Sequence, residues 1–298
     1  MRCVKVTAPA TSANLGAGFD IFGIALGEPK VIVEVSESSS GETSIDVNGV
    51  YGDEVPTNPE KNTAGIVAGM MGYPVHITIH ADIPTSSGLG SSAAPAAATA
   101  LGINMLHHTQ HSREDLVWLS AEGERASAGI PHADNVAAAL LGGFNIVHGR
   151  RIVSIKPRNI GITAVCPLVK VNTKSARKIL PEKIRMGDFV FNAGSASFMT
   201  AGMLKSNVGM IGLGMENHVI EELRSHLITG YTDVKRAATI AGAAGVTISG
   251  SGPTMIAVSE LGQRQRIADA MKQAFSEHGI DSVEYKTTIG KGSKVITL

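Results

Sequence analysis

Cysteine is nearly missing from this chain: Cys3 and Cys166 are the only two in 298 residues. Two thiols cannot lay out a disulfide framework, and nothing in their placement demands an oxidising compartment. No apolar run approaches the ~20 residues of a membrane helix. The opening MRCVKVTAPATSANLG also lacks the long apolar stretch of a signal peptide. The expectation is a cytoplasmic protein with no membrane partner. Net charge is absent too, with 26 Lys and Arg against 26 Asp and Glu, which argues against a dedicated nucleic-acid surface. There are neither internal repeats nor a low-complexity linker, so any domain boundary must be a short connection.

What is present suits a globular fold. The chain is 43% apolar and 17% charged, enough for a sizeable core, and its length fits one large domain or two ordinary ones. Its charge is unevenly spread. Residues 1–150 carry 7 basic and 15 acidic side chains, whereas residues 151–298 carry 19 and 11. Either two domains simply differ in surface, or basic groups of the second half face an anionic ligand held by the first.

The most informative stretch is Pro84–Ala94, PTSSGLGSSAA. It lies between a strand pattern, Val75–Ala81, and an Ala-rich helix pattern, Ser91–Leu106. Pro95 fits only a first helical turn, which puts the cap at about Ser91 or Ser92. Backbone N–H groups of the loop and of the helix start then point at one place, an anion site suited to phosphate. A Walker A loop is excluded because no lysine follows the glycines. Gly88-Leu89-Gly90-Ser91-Ser92-Ala93 fits the loose dinucleotide fingerprint, but no strand ending in an acidic residue follows at the required distance. An ordinary strand–helix turn that needs glycines for positive φ is the plain alternative.

Further segments carry polar groups in apolar surroundings. Ala8–Asp20 (APATSANLGAGFD) follows a strand at Cys3–Thr7; Pro9, Gly16 and Gly18 are expected to break regular structure, and the segment to line a cleft beside the apolar run Ile21–Leu26. Asn62 and Thr63 open a short helix, Thr63–Met71, where Asn62 is a natural N-cap. His107 and His111 share a helix face, a conceivable metal pair that reads better as a solvated helix end. Glu124 lies on a helix running from Ser112 to about Ala128. Pro131-His132-Ala133-Asp134-Asn135 is a tight polar cluster against an apolar helix, expensive to bury without purpose. Beyond a hairpin, 144–147 with 151–155, the reading is strand 161–166, helices over 183–206, 209–228, 231–243 and 260–278, two strands around the glycine-rich turn 249–253 and a last strand at 281–287. That alternation implies α+β with a split βαβ arrangement.

Pro84–Ala94 resembles the phosphate loop of the GHMP kinases, the family of galactokinase, homoserine kinase, mevalonate kinase and phosphomevalonate kinase, which reads P-x-x-x-G-L-G-S-S-A-A; every position matches. Ser12–Asp20 is similar to the S-A-N-L-G-x-G-F-D motif of the homoserine kinases, and Val246–Pro253, VTISGSGP, to the third family signature. The resemblance implies the two-domain GHMP kinase fold. Residues 1–155 would form the nucleotide-binding domain, similar to ribosomal protein S5 domain 2, and residues 156–298 a ferredoxin-like C-terminal domain.

It implies ATP and Mg2+ as cofactors, L-homoserine as substrate, O-phospho-L-homoserine on the way to threonine as product, and admits a homodimer. By position, ATP falls to Pro84, Thr85, Ser86, Ser87, Gly88, Leu89, Gly90, Ser91, Ser92, Ala93 and Ala94 with Asn62 and Thr63, and the metal to Ser92 and Glu124. Asn14, Asp20, His132, Asn135, Thr173, Arg177, Arg224 and Gly252 would surround the substrate, with Asp20, Asp134 and Asn135 as catalytic candidates. A zwitterionic amino acid needs a guanidinium fork for its carboxylate and an acid or amide for its ammonium, roles open to Arg177, Arg224 and Asp20. In mevalonate kinase the residue matching Asp134 is a base, whereas in homoserine kinases the residue matching Asn135 touches the hydroxyl, so both roles stay open here. The alternatives are a kinase of another small alcohol such as mevalonate, or a catalytically silent nucleotide sensor.

Overall fold

A computed structural model describes residues 2–128, 133–169 and 173–297, without the side chains of 126–128 and 173–175. Two long strands begin it. β1 (Cys3–Ala13) and β2 (Phe22–Glu37) pair antiparallel from Cys3↔Ser36 to Ala13↔Gly23, with one register shift between Pro9 and Thr11. Here the sequence reading is corrected: β1 runs on past Thr7 and through Pro9, because a proline is tolerated where the ladder is already interrupted. Ala8, Ala10 and Ala13 are fully buried, so the small residues reflect packing as well as a cleft.

Three segments follow: β3 (Ser44–Asn48), α1 (Thr63–Met71) and β4 (Val75–His80). Next come α2 (Ala93–His107), α3 (Arg113–Ala128), α4 (Ala133–Leu141), β5 (Phe144–His148) and β6 (Arg151–Ile155). The second half holds β7 (Gly161–Pro167), α5 (Thr173–Lys178), α6 (Met186–Lys205), α7 (Val208–Gly214), α8 (Ile220–Ser225) and α9 (Tyr231–Ile240). It ends with β8 (Gly245–Ile248), β9 (Met255–Ser259), α10 (Arg264–Glu277), β10 (Ser282–Thr288) and β11 (Lys294–Thr297).

One sheet has the order β11-β1-β2-β4-β3 with β5 and β6 branching from β2; the other is antiparallel, β10-β7-β9-β8. The helix expected over 209–228 is in fact two, α7 and α8, divided by Met215–Val219, where Asn217 spends its side chain on the backbone of Gly16, Val219 and Ile220. The short strands β3 and β11 were not foreseen. β11 carries the chain end back to β1, with Thr7 opposite Lys294.

Apolar faces explain the layering. α2 is buried nearly all round, Ala94, Ala97, Ala98, Leu101 and Ile103 among its buried residues, and Gly102 lets it close on Val35 and Val6 of the first sheet. The large apolar cluster continues into Ile162, Ala164, Met199 and Ile256 of the second half. A separate cluster, including Val234, Ile267, Met271 and Phe275, seals α9 and α10 against the second sheet. Among the described residues no helix is long and apolar enough to cross a membrane.

Candidate active site

The loop between β4 and α2 is clamped from both halves of the chain. Thr11 N–H donates to Leu89 O at 3.0 Å, and Thr254 N–H donates to Ser87 O at 3.1 Å. The Ser87 hydroxyl donates to Pro84 O at 2.6 Å and accepts from Leu89 N–H at 3.2 Å. The glycine turn after β8 comes just as close. Ser249 Oγ lies 2.7 Å from both Gly88 O and Ser12 Oγ, and Gly250 N–H donates to Ala13 O at 2.8 Å. A Cβ on Gly88 would stand 2.2 Å from Ser249 O, and one on Gly90 2.0 Å from Thr11 Oγ1; both glycines have positive φ. These two positions therefore take no side chain.

Helix α2 begins where the sequence places it, with Ser92 at the cap position. Ser92 nevertheless has helical φ/ψ and caps nothing with its side chain. Its hydroxyl instead donates to Glu124 Oε2 at 3.0 Å, and its carbonyl accepts from Thr63 Oγ1 at 2.9 Å. Among the described residues nothing accepts from the N–H groups of Gly90, Ser91 and Ser92. With the helix dipole behind them, they form a rim suited to an anion.

Two buried carboxyls sit behind this rim. Burial pushes Glu124 up to about 7, against the Ser92 hydrogen bond and with help from the charge of Asp134. Asp134, in the first turn of α4, is likewise pushed up to about 7 by burial, although its Oδ1 accepts the Asn135 N–H at 2.7 Å; the Asp20 charge adds to the rise. Beside it, Asn135 Oδ1 accepts from Thr11 Oγ1 at 2.7 Å. That occupies the oxygen of the amide and leaves its N–H2 end for the cleft.

Across the cleft lie two arginines from the second half. Arg177 pairs with Asp20. Arg224 is only 5% exposed and donates to Gly250 O at 2.8 Å and Ala176 O at 3.3 Å. Burial pulls Arg224 down to about 10, with Asp20 opposing and Arg177 adding to the fall. Phe19 stands between them, its ring centroid 5.7 Å from the Arg177 guanidinium carbon and 5.1 Å from that of Arg224. An aromatic face attracts each cation and so lets two like charges share a small space. Asn14 and Asp20 both adopt left-handed φ, and Asn14 Oδ1 accepts the Asp20 N–H at 2.8 Å.

One cleft of about 500 Å3 gathers most of the residues named from sequence: Asn14, Asp20, Asn62, Thr63, Thr85–Gly88, Gly90–Ala93, Glu124, Asp134, Asn135, Arg177 and Arg224. That volume lies in the range of small-ligand sites. Leu89 and Ala94 are fully buried and do not line the cleft. Pro84 is not on the cleft wall. Gly252 lies behind it, facing Ile228 and Ile248, while its neighbours Gly250 and Ser251 form the wall. Asn62 acts as the α1 N-cap as well, accepting from Ala64 N–H at 2.9 Å. His132 and the side chain of Thr173 lie outside the described residues. His107 stacks on Tyr73 at 4.3 Å, and among the described residues no group of three His, Cys, Asp or Glu is gathered for a metal.

The sequence reading missed Thr11, Phe19, Glu54, Lys61, Gly250 and Ser251. Phe19 had a signal, since it lies inside the Ser12–Asp20 motif directly before Asp20. Thr11 had none, because only the tertiary approach of β1 to the loop gives it a role.

Comparison with known proteins agrees from end to end. The family model for the GHMP kinases N terminal domain matches residues 61–143, and that for the GHMP kinases C terminal matches 199–277. The homoserine kinase of Methanocella arvoryzae is 46% identical over 99% of this chain and 98% of its own, and that of Halorubrum lacusprofundi 44% over 98% and 99%. The crystal structure of homoserine kinase from Cytophaga hutchinsonii superposes with a TM-score of 0.92 at 38% identity, covering 99% of this chain and 98% of that one. The expected two-part GHMP fold thus holds, and the chain belongs to the GHMP kinases, among the homoserine kinases.

Proposed function

We propose that this protein transfers the γ-phosphoryl group of ATP to the hydroxyl of L-homoserine. The observation that carries the reading is the convergence on one cleft of a phosphate-binding backbone rim and a charged pocket built from Asp20, Arg177 and Arg224 around Phe19. The rim suits a triphosphate. The pocket suits a group bearing both a carboxylate and an ammonium, which mevalonate lacks.

In the free protein, Arg177 and Asp20 hold each other. An incoming amino acid exchanges both partners: its carboxylate takes Asp20's place on Arg177, and its ammonium takes Asp20. Each charge is thus re-paired rather than stripped, which keeps the desolvation cost low. Arg224, fixed by two backbone carbonyls, supplies a second cation whose position does not depend on the exchange.

A carboxylate and a hydroxyl are hard oxygen donors suited to Mg2+, which binds few protein groups and completes its shell with phosphate oxygens and water. The buried Ser92–Glu124 pair fits that group: it offers such donors and gains a counter-charge that burial otherwise denies Glu124. When bound, the ion neutralises phosphate charge. Asn135 orients the substrate hydroxyl, whose oxygen forms the new bond to the γ-phosphorus as the bond to ADP breaks. The hydroxyl proton leaves to solvent or to Asp134. The N–H groups of Gly90–Ser92 stabilise the charge that develops on the phosphate oxygens. Residues 1–155 and 156–298 are the two units between which this chemistry takes place.

Coupled ADP release over a panel of alcohols tests the proposal. Turnover with L-homoserine well above that with mevalonate or a deaminated homoserine analogue is the expected result. No turnover with any alcohol, despite nucleotide binding, would make the protein a sensor instead.

A further inference from the structure

The charged end of the cleft is assembled from segments that lie far apart in the chain. The loop 14–20 carries Asn14, Phe19 and Asp20, and helix α8 carries Arg224. One buried amide joins the two. Asn217, 7% exposed and 201 positions from Gly16, donates its Nδ2 to Gly16 O at 2.7 Å. Its Oδ1 accepts the N–H groups of Val219 and Ile220 at 2.9 and 2.8 Å, and so starts α8, where Val219 offers no side-chain cap of its own. An amide oxygen has two lone pairs, and both are taken. A flipped amide would set its N–H2 against two N–H donors, so the orientation is fixed.

Both sides of this joint are stiff. Gly16 lies so close to the end of α7 that a Cβ on it would stand 2.5 Å from Gly214 O and 2.6 Å from the Cα of Met215. Within the loop, Gly18 N–H donates to Leu15 O at 2.9 Å and Asp20 N–H to Asn14 Oδ1 at 2.8 Å, so a shift at Gly16 is carried on to Asp20. Helix α8 is tied in turn to α9, where Lys235 Nζ donates to the buried Glu221 at 2.5 Å, one turn before Arg224. The Arg177–Asp20 pair also bridges loop and second half, but an incoming amino acid takes that pair apart. Among the described residues, no backbone atom of the loop other than Gly16 O bonds to the second half. Asn217 is the tie that survives the exchange.

We propose that Asn217 is a positioning residue that sets the span between Asp20 and Arg224, and thereby selects a ligand bearing an ammonium beside its carboxylate. This rests on the assignment of Asp20 to the ammonium and Arg224 to the carboxylate. Asn217 does not line the cleft and acts only through the loop and the helix. Since a misplacement of ~1 Å costs about 10²-fold, a smaller drift of the loop is enough to be measured.

The readout is the ratio of kcat/KM for L-homoserine to that for 4-hydroxybutyrate, which keeps the hydroxyl and the carboxylate but lacks the ammonium. Asn217→Asp still accepts from both α8 N–H groups and sets a carboxylate oxygen against Gly16 O. Asn217→Ser caps α8 and is too short to reach the loop. Each should lower the ratio by about 10-fold, the scale of one weakened charge-assisted hydrogen bond. The fall should come from the homoserine value alone, with KM for ATP unchanged. Asp20→Asn is the reference and should lower the same ratio further. A loss shared equally by the two alcohols, or wild-type kinetics in the folded Asn217 variants, overturns the proposal; Asp20→Asn that still collapses the ratio then leaves the substrate assignment standing. Asp20→Asn with the wild-type ratio overturns both. If neither Asn217 variant folds, the residue serves folding and the proposal falls.

Discussion

In the proposed function, the phosphate loop and the amino-acid pocket face each other across one cleft, yet they are built by opposite means. The loop recognises with backbone. Its side chains are small, its two glycines stand against Thr11 and Ser249, and its binding groups are N–H donors fixed by covalent geometry. The pocket recognises with side chains. Asp20, Arg177 and Arg224 come from three distant places in the chain and meet through ion pairing, backbone anchoring and the ring of Phe19. Backbone recognition is rigid and breaks sharply; side-chain recognition can be weakened in steps.

The sharpest break should come at Gly90. A Val there would drive its Cβ into Thr11 and loosen the Thr11–Asn135 hydrogen bond as well as the loop. Since a misplacement of ~1 Å costs about 10²-fold, two displaced elements should remove at least ~10³-fold of kcat/KM. Steady-state kinetics on the folded Gly90→Val variant measures this, and near-normal turnover would refute the rigid-loop view. Glu124→Gln should follow at on the order of 10²–10³-fold in kcat, the scale of removing one electrostatic stabiliser. Circular dichroism should show its fold intact, because an amide is no harder to bury than this carboxyl.

The pocket should respond differently. Arg224→Lys keeps the charge but loses the fork that reaches both Gly250 and Ala176, and should raise KM for homoserine by ~10²-fold while leaving KM for ATP unchanged. Phe19→Leu should raise it only a few-fold, the cation–π contribution being ~1 kcal/mol. If either change disturbs ATP affinity as much as homoserine affinity, the two regions are not separable.

The proposed catalytic candidates Asp134 and Asn135 distinguish base from positioner. Asn135→Ala should cut kcat by ~10-fold or more with the shape of the pH profile unchanged, since an amide does not titrate. Asp134→Asn should preserve any acid-side limb. Loss of that limb in Asp134→Asn alone, beside a nearly normal Asn135→Ala, would make Asp134 the base.

The smallest effect is on stability. Glu124 and Asp134 both hold protons to about pH 7 when folded, but ionise near their ordinary values when unfolded. The folded state therefore binds more protons between about pH 4 and 7. Stability is full below that window and falls as pH rises through it. Thermal unfolding without Mg2+ at pH 5 and pH 8 should show the fall, and Glu124→Gln should flatten it. The amide variant keeping the full pH dependence would place the titration elsewhere.

How legible all this was in the sequence follows the same division. Pro84–Ala94 could be read because its function is local: strand, glycines and helix start are contiguous, and backbone N–H groups converge whatever the rest of the chain does. The bounds of α1 and the start of α2 were equally local, set by Asn62 and Pro95. Pro9 misled because the bulge that tolerates it is a property of pairing with β2, and β11 was missed because four residues of strand mean nothing until β1 is there to pair with. Tertiary structure alone decided that the Ser92 hydroxyl serves Glu124 instead of capping α2, that Thr11 holds Asn135, and that Asp20 meets Arg177 around Phe19. Those contacts span from 32 to 157 positions of sequence, and no local propensity encodes them. They exist only where tertiary packing of helices and strands brings remote side chains within hydrogen-bond reach.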